Sequence, residues 1–432
     1  MGLTPVAPHA PRSSGLLHPA WIVAAVTLVA VVGAAGFRAT PGVLMDPLHD
    51  EFGWSHGTIS AAVSVNMVLY GLTSPFAAAL MERFGMRRVV ATALLLVAAG
   101  SGLTVVMRTS WQLILCWGVL VGLGTGSMAL AFVATVTQRW FVRHRGVVTG
   151  VLTAGGAMGQ LLFLPAMAVL ADRLGWRAAA LLVTAAALAV LPLVVTLLRE
   201  HPRDAGVAAY GDPTPAAAGT ASGSTNAAVR ALSTLGAAAR TGPFWLLAGG
   251  FAICGATTNG LVGTHFIPAA GDHGMAATTA ASLLALVGIF DVVGTVASGW
   301  FTDRVDSGLL LGLYYALRGV SLLLLPRLFA ATAEPSLLVF VVFYGLDWVA
   351  TVPPTVALCR RYFGLSGPVV FGWVFASHQV GAALAAGAAG VLRDQLGTYD
   401  LAWYGAGGLC LIAAALSLRI WRRRPEAVAE AA

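Results

Sequence analysis

The chain has 432 residues, of which 58% are apolar and 10% charged, with 51 glycines and a mean hydropathy of +0.82. Soluble domains run at roughly 45–50% apolar with glycine counted and about 25% charged, so this composition excludes an ordinary cytosolic enzyme, a disordered chain, a nucleic-acid binder and a small disulfide scaffold, and leaves a polytopic membrane protein. The formal charge of +7 comes from 25 basic residues, all arginine, which in this setting face an anionic membrane surface rather than nucleic acid.

Residues 1–19 form a tail without the character of a cleavable signal, so the first span is expected to serve as the targeting signal. A helix crosses the hydrocarbon core with about 20 apolar residues. Charge-free runs over 20–45, 57–80, 88–107, 110–137, 146–170 and 177–198 predict spans 1 to 6. Residues 199–241 follow as a linker. Within it, 205–229 is mostly Ala, Gly, Ser, Thr and Pro with Asp212 the only charge, and it is expected to be flexible. Runs over 242–269, 276–300, 308–329, 335–359, 367–391 and 400–421, several with one internal charge, predict spans 7 to 12, before a tail at 422–432. These runs are continuous and too long for strands of a membrane barrel. The expected domains are thus two six-span halves, 20–198 and 242–421. With the N-terminus inside, 18 arginines lie in cytoplasmic segments and 5 in outer ones. The positive-inside rule then puts both termini and the linker in the cytoplasm, and a bacterial inner membrane is the expected setting. Cys116, Cys254, Cys359 and Cys410 stand singly in apolar runs and read as packing residues, not metal or redox groups.

The halves repeat. Glu82-Arg83 after span 2 matches Asp303-Arg304 after span 8 at an offset of 221, and Arg139-Trp140-Phe141 matches Arg361-Tyr362-Phe363 at 222. The segment Val169 to Gly175 matches Val391 to Gly397, again at 222, and Gly150 and Gly159 map onto Gly372 and Gly381. Matches in register at equivalent helix ends indicate duplication. Six spans return the chain to its starting side, so the repeats are parallel, related by an axis along the membrane normal.

With twelve spans, this duplication and a long central loop, the chain resembles the major facilitator superfamily. The loop after span 2 follows that superfamily's motif as Glu82-Arg83-Phe84-Gly85-Met86-Arg87-Arg88, with Ala78 in place of its first glycine; Gly299 and Asp303-Arg304 repeat it in the second half. Within the superfamily the chain is similar to the monocarboxylate transporter and oxalate/formate antiporter branch. Span 1 carries Gly36-Phe37-Arg38, Gly42-Val43 and Phe52-Gly53-Trp54-Ser55, and span 8 carries Gly288-Ile289-Phe290-Asp291. Animal monocarboxylate carriers have an arginine four residues after that aspartate; here the position is Thr295. The helix-5 Gly-Pro motif of the drug-efflux antiporters is absent from Gly155-Gly156-Ala157-Met158-Gly159. The resemblance implies an all-α fold of twelve spans, alternating access, a small organic anion as substrate and no enzyme activity, metal or cofactor. It also implies a monomer and a lipid bilayer as the remaining partner.

An ionisable side chain inside the bilayer costs roughly 2.5–3.5 kcal/mol on insertion scales and needs a partner or a wet cavity. Arg318 and Asp347 lie at mid-depth of spans 9 and 10 with opposite charge, which predicts an ion pair acting as a structural brace. Arg38 lies toward the outer part of span 1 and Asp291 nearer the cytoplasm on span 8, about 10 Å apart in depth for a core of about 30 Å. Arg38 reads as an anion anchor, its planar fork suited to a carboxylate, or as a gate charge. Asp291 reads as the proton acceptor, or as a gating carboxylate. The repeat maps Arg38 onto Asn259 and Asp291 onto Tyr70, and His378-Gln379 lies mid-way through span 11; these four join Arg38 as substrate-site candidates. Glu82, Arg83, Arg87, Asp303 and Arg304 are the gating-loop candidates. His265 is expected at a wetted rim. Pro353-Pro354 predicts a bend in span 10. Gly122, Gly124 and Gly126 sit inside an apolar helix and read as close packing, not a nucleotide loop. With no Walker motif, an ion gradient must supply the energy. The alternatives are a drug or neutral-metabolite exporter of the same fold, and a membrane-embedded receptor or enzyme, for which no extra domain or nucleophile–base pair is visible.

Overall fold

The computed structural model describes residues 18–54, 56–128, 130–212 and 226–422; the side chains of 36–46, 56, 57, 60, 164, 168, 277, 278 and 394 lie outside the description. The first six spans are Pro19–Phe52, His56–Phe84, Met86–Thr104, Ser110–Trp140, Arg145–Leu174 and Trp176–Leu197. The second six are Gly242–Asp272, Ala277–Thr302, Ser307–Leu324, a broken span 10 made of Pro335–Asp347 and Val352–Phe363, then Gly367–Leu396 and Asp400–Arg422. The fold is all-α; among the described residues the one extended pairing is the bridge between Phe141 and Tyr210.

Spans 1, 2, 5, 10 and 11 run a turn or more past the apolar limits of the sequence, while spans 3 and 9 stop short of them. Span 1 continues to Phe52 and stops at Gly53, whose φ of 67° is left-handed, with its N–H bonded to the His49 carbonyl. Backbone hydrogen bonding does not end where hydrocarbon does, so polar turns project into the interface.

The linker departs from expectation at its two ends; residues 213–225 of the stretch expected to be flexible lie outside the described residues. Asn226 caps a helix over Ala227–Ala238, its side chain accepting the Ala228 N–H. Ala227 and Ala231 are buried with Ala78, Ala79, Ala131 and Val369. Tyr210 is also ordered, its N–H donating to the Trp140 carbonyl and its ring lying against Trp21 and His18. The helix Ala227–Ala238 is held because its alanines face a helix surface that is itself alanine-rich.

Small residues set the helix spacing. In span 4, a Cβ on Gly124 would lie 2.6 Å from the Ala93 carbonyl of span 3, and one on Gly126 would lie 3.0 Å from the Leu69 carbonyl of span 2. Gly146 and Gly299 meet backbone to backbone, joining spans 5 and 8, and Gly372 of span 11 lies against Pro75 of span 2. These last contacts cross between the halves on the side that carries the termini and the linker, called here the terminal side.

Candidate functional site

Span 10 stops at Asp347 and restarts at Val352, leaving 348–351 as turn. Pro353 and Pro354 sit in the first turn of the second segment, where their missing N–H groups leave no helical bond unmade. The break exposes the carbonyls of 347–350 to an apolar interior, where each needs a donor. All four have one. Arg318 Nη2 donates to the carbonyls of Asp347 (2.5 Å) and Trp348 (3.2 Å). Val352 N–H donates to Val349 O at 2.9 Å, and Ser298 Oγ donates to Ala350 O at 2.5 Å.

Arg318 is wholly buried. Its Nε meets Asp347 Oδ2 at 2.5 Å, and Nη1 lies 3.1 Å from Cys254 Sγ. Asp347 is 5% exposed, and its other oxygen, Oδ1, has no hydrogen-bond partner among the described residues. Arg318 thus holds both the carboxylate of span 10 and the loosened backbone beside it.

Asp291 faces the same break from span 8. It is 3% exposed, and its Oδ1 accepts the Thr295 hydroxyl at 2.8 Å and the Val349 N–H at 3.0 Å. The threonine at the fourth position after the aspartate therefore supplies a neutral donor where the animal carriers have a cation. The charges bearing on Asp291 are Arg318 and Asp347. Two carboxylates face one guanidinium, so this cluster is neutral when it holds one proton. Sequence reading placed Asp291 in an apolar cavity; the structure buries it against span 10.

The other candidates divide. Arg38 lies on the span 1 helix, but its side chain is outside the described residues. Tyr70 of span 2 packs edge-on against Phe375 of span 11 with ring centroids 5.4 Å apart, and His378 stacks 5.9 Å from the same Phe375 and 5.0 Å from Phe251. A Cβ on Gly71 would lie 2.8 Å from Gln379 Cγ. Tyr70 and Gln379 thus share the seam between spans 2 and 11, while His378 packs against Phe251 and Gly255 of span 7. Asn259 lies apart, exposed half-way along span 7, and Gln160 is exposed half-way along span 5. An amide open at that depth faces water more cheaply than lipid. Gln160 escaped the sequence reading, although a lone amide in an apolar run was its signal. His265 is no rim residue: it is buried, 2.9 Å from the Ala386 carbonyl and tilted against the Tyr399 ring.

Among the gating candidates, Asp303 bonds across to the other half, Glu82 bonds the linker, and the arginine side chains do neither among the described residues. Asp303 accepts the N–H groups of Gly146 (2.7 Å) and Val147 (3.1 Å) at the start of span 5, where the helix dipole favours negative charge. Glu82 instead takes Arg230 of the linker helix at 3.1 Å, and Arg230 also donates to Ser366 Oγ before span 11. Arg304 lies over its own Trp300, Arg83 over Phe84, and the Arg87 N–H donates to Glu200. On the opposite side, Glu51 at the end of span 1 pairs bidentately with Arg177, and Asp272 at the end of span 7 pairs bidentately with Arg393. The Arg177 hydrogen bonds, then Trp176, hold the Glu51 carboxyl below its usual range.

The sequence profile of the Major Facilitator Superfamily matches residues 26–370 and 266–432. The chain is 26% identical over 387 residues to the MFS-type transporter YcxA of Bacillus subtilis, covering 88% of this chain and 90% of that one. It is 31% identical over 365 residues to monocarboxylate transporter 13 of Rattus norvegicus, covering 82% and 77% respectively. The crystal structure of the Escherichia coli fucose:proton symporter superposes with a TM-score of 0.70 at 14% identity, over 93% of this chain and 99% of the other. Twelve spans in this arrangement, matched along their whole length, make the chain a membrane transporter of the Major Facilitator Superfamily and not an enzyme.

Proposed function

We propose that this transporter moves a small organic anion of the monocarboxylate type together with a proton, by alternating access between the halves 20–198 and 242–421. The observation that carries the reading is Asp291: a buried carboxylate held by a hydroxyl and a backbone N–H, with no salt-bridge partner among the described residues. Such a group can exchange a proton without breaking a salt bridge. The likeness to monocarboxylate transporter 13 supports the substrate class. In this reading Arg38 anchors the anion, while Asn259, Tyr70, His378 and Gln379 line its path. Arg318 and Asp347 brace spans 9 and 10. Asp303 and Glu82 close the terminal side, and Arg83, Arg87 and Arg304 contribute surface charge there.

The arginine bias supports a cytoplasmic terminal side and an inner-membrane setting, with the protein working as a monomer. In a cysteine-free background, a single cysteine at Gly175 then reacts with an impermeant reagent in intact cells and one at Gly206 does not; the opposite pattern reverses the orientation. Thr295 in place of a cation favours one second reading, an exporter of neutral metabolites. A thermal-shift screen of the purified protein separates the two. Short monocarboxylates are expected to stabilise the wild type, and Arg38→Gln is expected to lose that stabilisation at unchanged folded yield. Stabilisation by neutral compounds alone would replace the anion reading with the second one.

A further inference from the structure

We infer that the 348–351 break in span 10 senses the proton on Asp291 and passes its state to the closure of the terminal side. This rests on the proton-coupled reading above and adds the element that reads the proton. Three outside side chains hold the backbone of the break, and a fourth, Cys254, meets the Thr351 hydroxyl at 3.3 Å. Arg318 takes the carbonyls of Asp347 and Trp348, Ser298 takes that of Ala350, and Asp291 takes the N–H of Val349. Ser298 and Arg318 keep one charge state, so their grip is constant. Among the described residues, Asp291 alone brings a carboxylate to the backbone of the turn; Cys254 reaches only the Thr351 side chain.

A hydrogen bond to an ionised acceptor is roughly twice as strong as a neutral one. An ionised Asp291 therefore binds the Val349 N–H firmly, and a protonated one holds it weakly and gains a donor of its own. The groups facing Asp291 leave it as the variable. Span 9 offers the charge of Arg318 and span 10 that of Asp347; Tyr315, Tyr344 and Cys254 surround Arg318, and Tyr314 bonds Ser298; span 5 has no titratable side chain between Gly146 and Ala171. Arg318 holds Asp347 directly, so the carboxylate that exchanges its proton is the one without a salt bridge among the described residues.

What lies beyond the break gives the change a destination. Val352–Phe363 ends at Gly364, whose carbonyl accepts the Gln138 side chain of span 4 at 3.0 Å, across the seam between the halves. On span 8 itself, Asp303 caps span 5 a few turns below Asp291. Releasing Val349 lets the second segment of span 10 swing about the turn and loosens the Gln138 contact. Arg318 and Asp347 become positioning residues: they fix the near side of the turn so that movement occurs beyond it.

Trp348 is a probe built into the break, half-buried with its ring 5.6 Å from Tyr344. Full-length protein labelled with 5-fluorotryptophan gives one fluorine resonance per tryptophan, and Trp348→Phe identifies this one by its loss. The Trp348 resonance is expected to move between acid and alkaline buffers in the wild type, to stay fixed in Asp291→Asn, and to move with an altered midpoint in Thr295→Val. The thermal-shift ranking of monocarboxylates is expected to be unchanged in Thr295→Val. A Trp348 resonance that ignores pH in the wild type, or titrates identically in both variants, overturns the inference. If Asp291→Asn folds poorly, Thr295→Val alone decides between these outcomes. Loss of proton-driven uptake in Asp291→Asn with a pH-insensitive Trp348 would leave the proton site standing and remove the break as its reader. A titrating Trp348 without monocarboxylate transport would do the reverse.

Discussion

The two halves solve one packing problem in opposite ways. At the repeat offset of 221, Asp291, Arg318, Gly345 and Asp347 correspond to Tyr70, Val97, Gly124 and Gly126. In the first half, span 4 lies against spans 2 and 3 through glycines: a Cβ on Gly126 would sit 3.0 Å from the Tyr70 Cα, and one on Gly124 2.8 Å from Val97 Cγ2. In the second half the same contacts carry two carboxylates and a guanidinium around the break of span 10, whereas span 4, whose helix also stops at Ser127 and resumes at Leu130, has glycines at those contacts. A glycine seam fixes distance and has one state. A charge cluster around loosened backbone has a state for each proton count. The duplication thus yields a scaffold half and a responsive half.

The largest effect that would break this comparison lies in the charged half. Arg318→Ala or Asp347→Ala leaves a buried charge unpaired, at a cost of about 3–5 kcal/mol. Folded protein recovered from the membrane should fall sharply, and the exchanged pair Arg318→Asp with Asp347→Arg should recover part of it. If both single variants express normally and fail only in transport, the pair belongs to the substrate path instead of the brace.

A smaller effect is expected in the glycine half. Gly124→Ala forces spans 3 and 4 apart and should cost about 1–3 kcal/mol, the range for overpacking. Its thermal midpoint should drop by the same amount across neutral and acid pH, because the groups a Cβ there would meet belong to Ala93 and Val97. A pH-dependent loss would mean that the first half also holds a proton site.

Next come the gates. Asp303→Asn keeps the shape but removes the charge that caps span 5. Cysteines on the terminal side of spans 5 and 8 should then label several-fold faster at equal expression. Unchanged labelling would show that the Gly146–Gly299 contact closes this side unaided.

The smallest effect concerns Glu51, which is largely solvated. Its carboxyl is held low by Arg177, so its contribution is present above the unfolded value of about 4.3 and disappears as pH falls through the folded one. Glu51→Gln should lower thermal stability slightly at neutral pH and not at all in strong acid. Surface pairs are worth little, so a large loss at neutral pH would assign this pair a role in holding span 1.

Charge at depth was the legible part of the site. Arg318 and Asp347 stand at equal depth in adjacent spans, and opposite charges in hydrocarbon have few alternatives to meeting. The prolines at 353 and 354 marked the break. The bond from Val349 N–H to Asp291 could not be read, because the donor exists only once another helix has come apart. Glu82 and Asp303 look equivalent in the repeat, yet their partners differ: that of Glu82 comes from the linker. Asn226 followed by Ala-Ala-Val-Arg-Ala-Leu does read as a capped helix, and it was hidden by the low-complexity stretch before it. The spans themselves were legible to within a few residues in the middle and less so at their polar ends.

Proton coupling at Asp291 is tested most directly in proteoliposomes containing a pH-sensitive dye. The monocarboxylate that gives the largest thermal shift is added outside, with protein-free liposomes as the control for passive entry of the acid. Wild-type protein should acidify the lumen faster than the control as substrate enters. Asp291→Asn should still exchange labelled substrate but acidify no faster than the control. Equal acidification by wild type and Asp291→Asn would contradict the account.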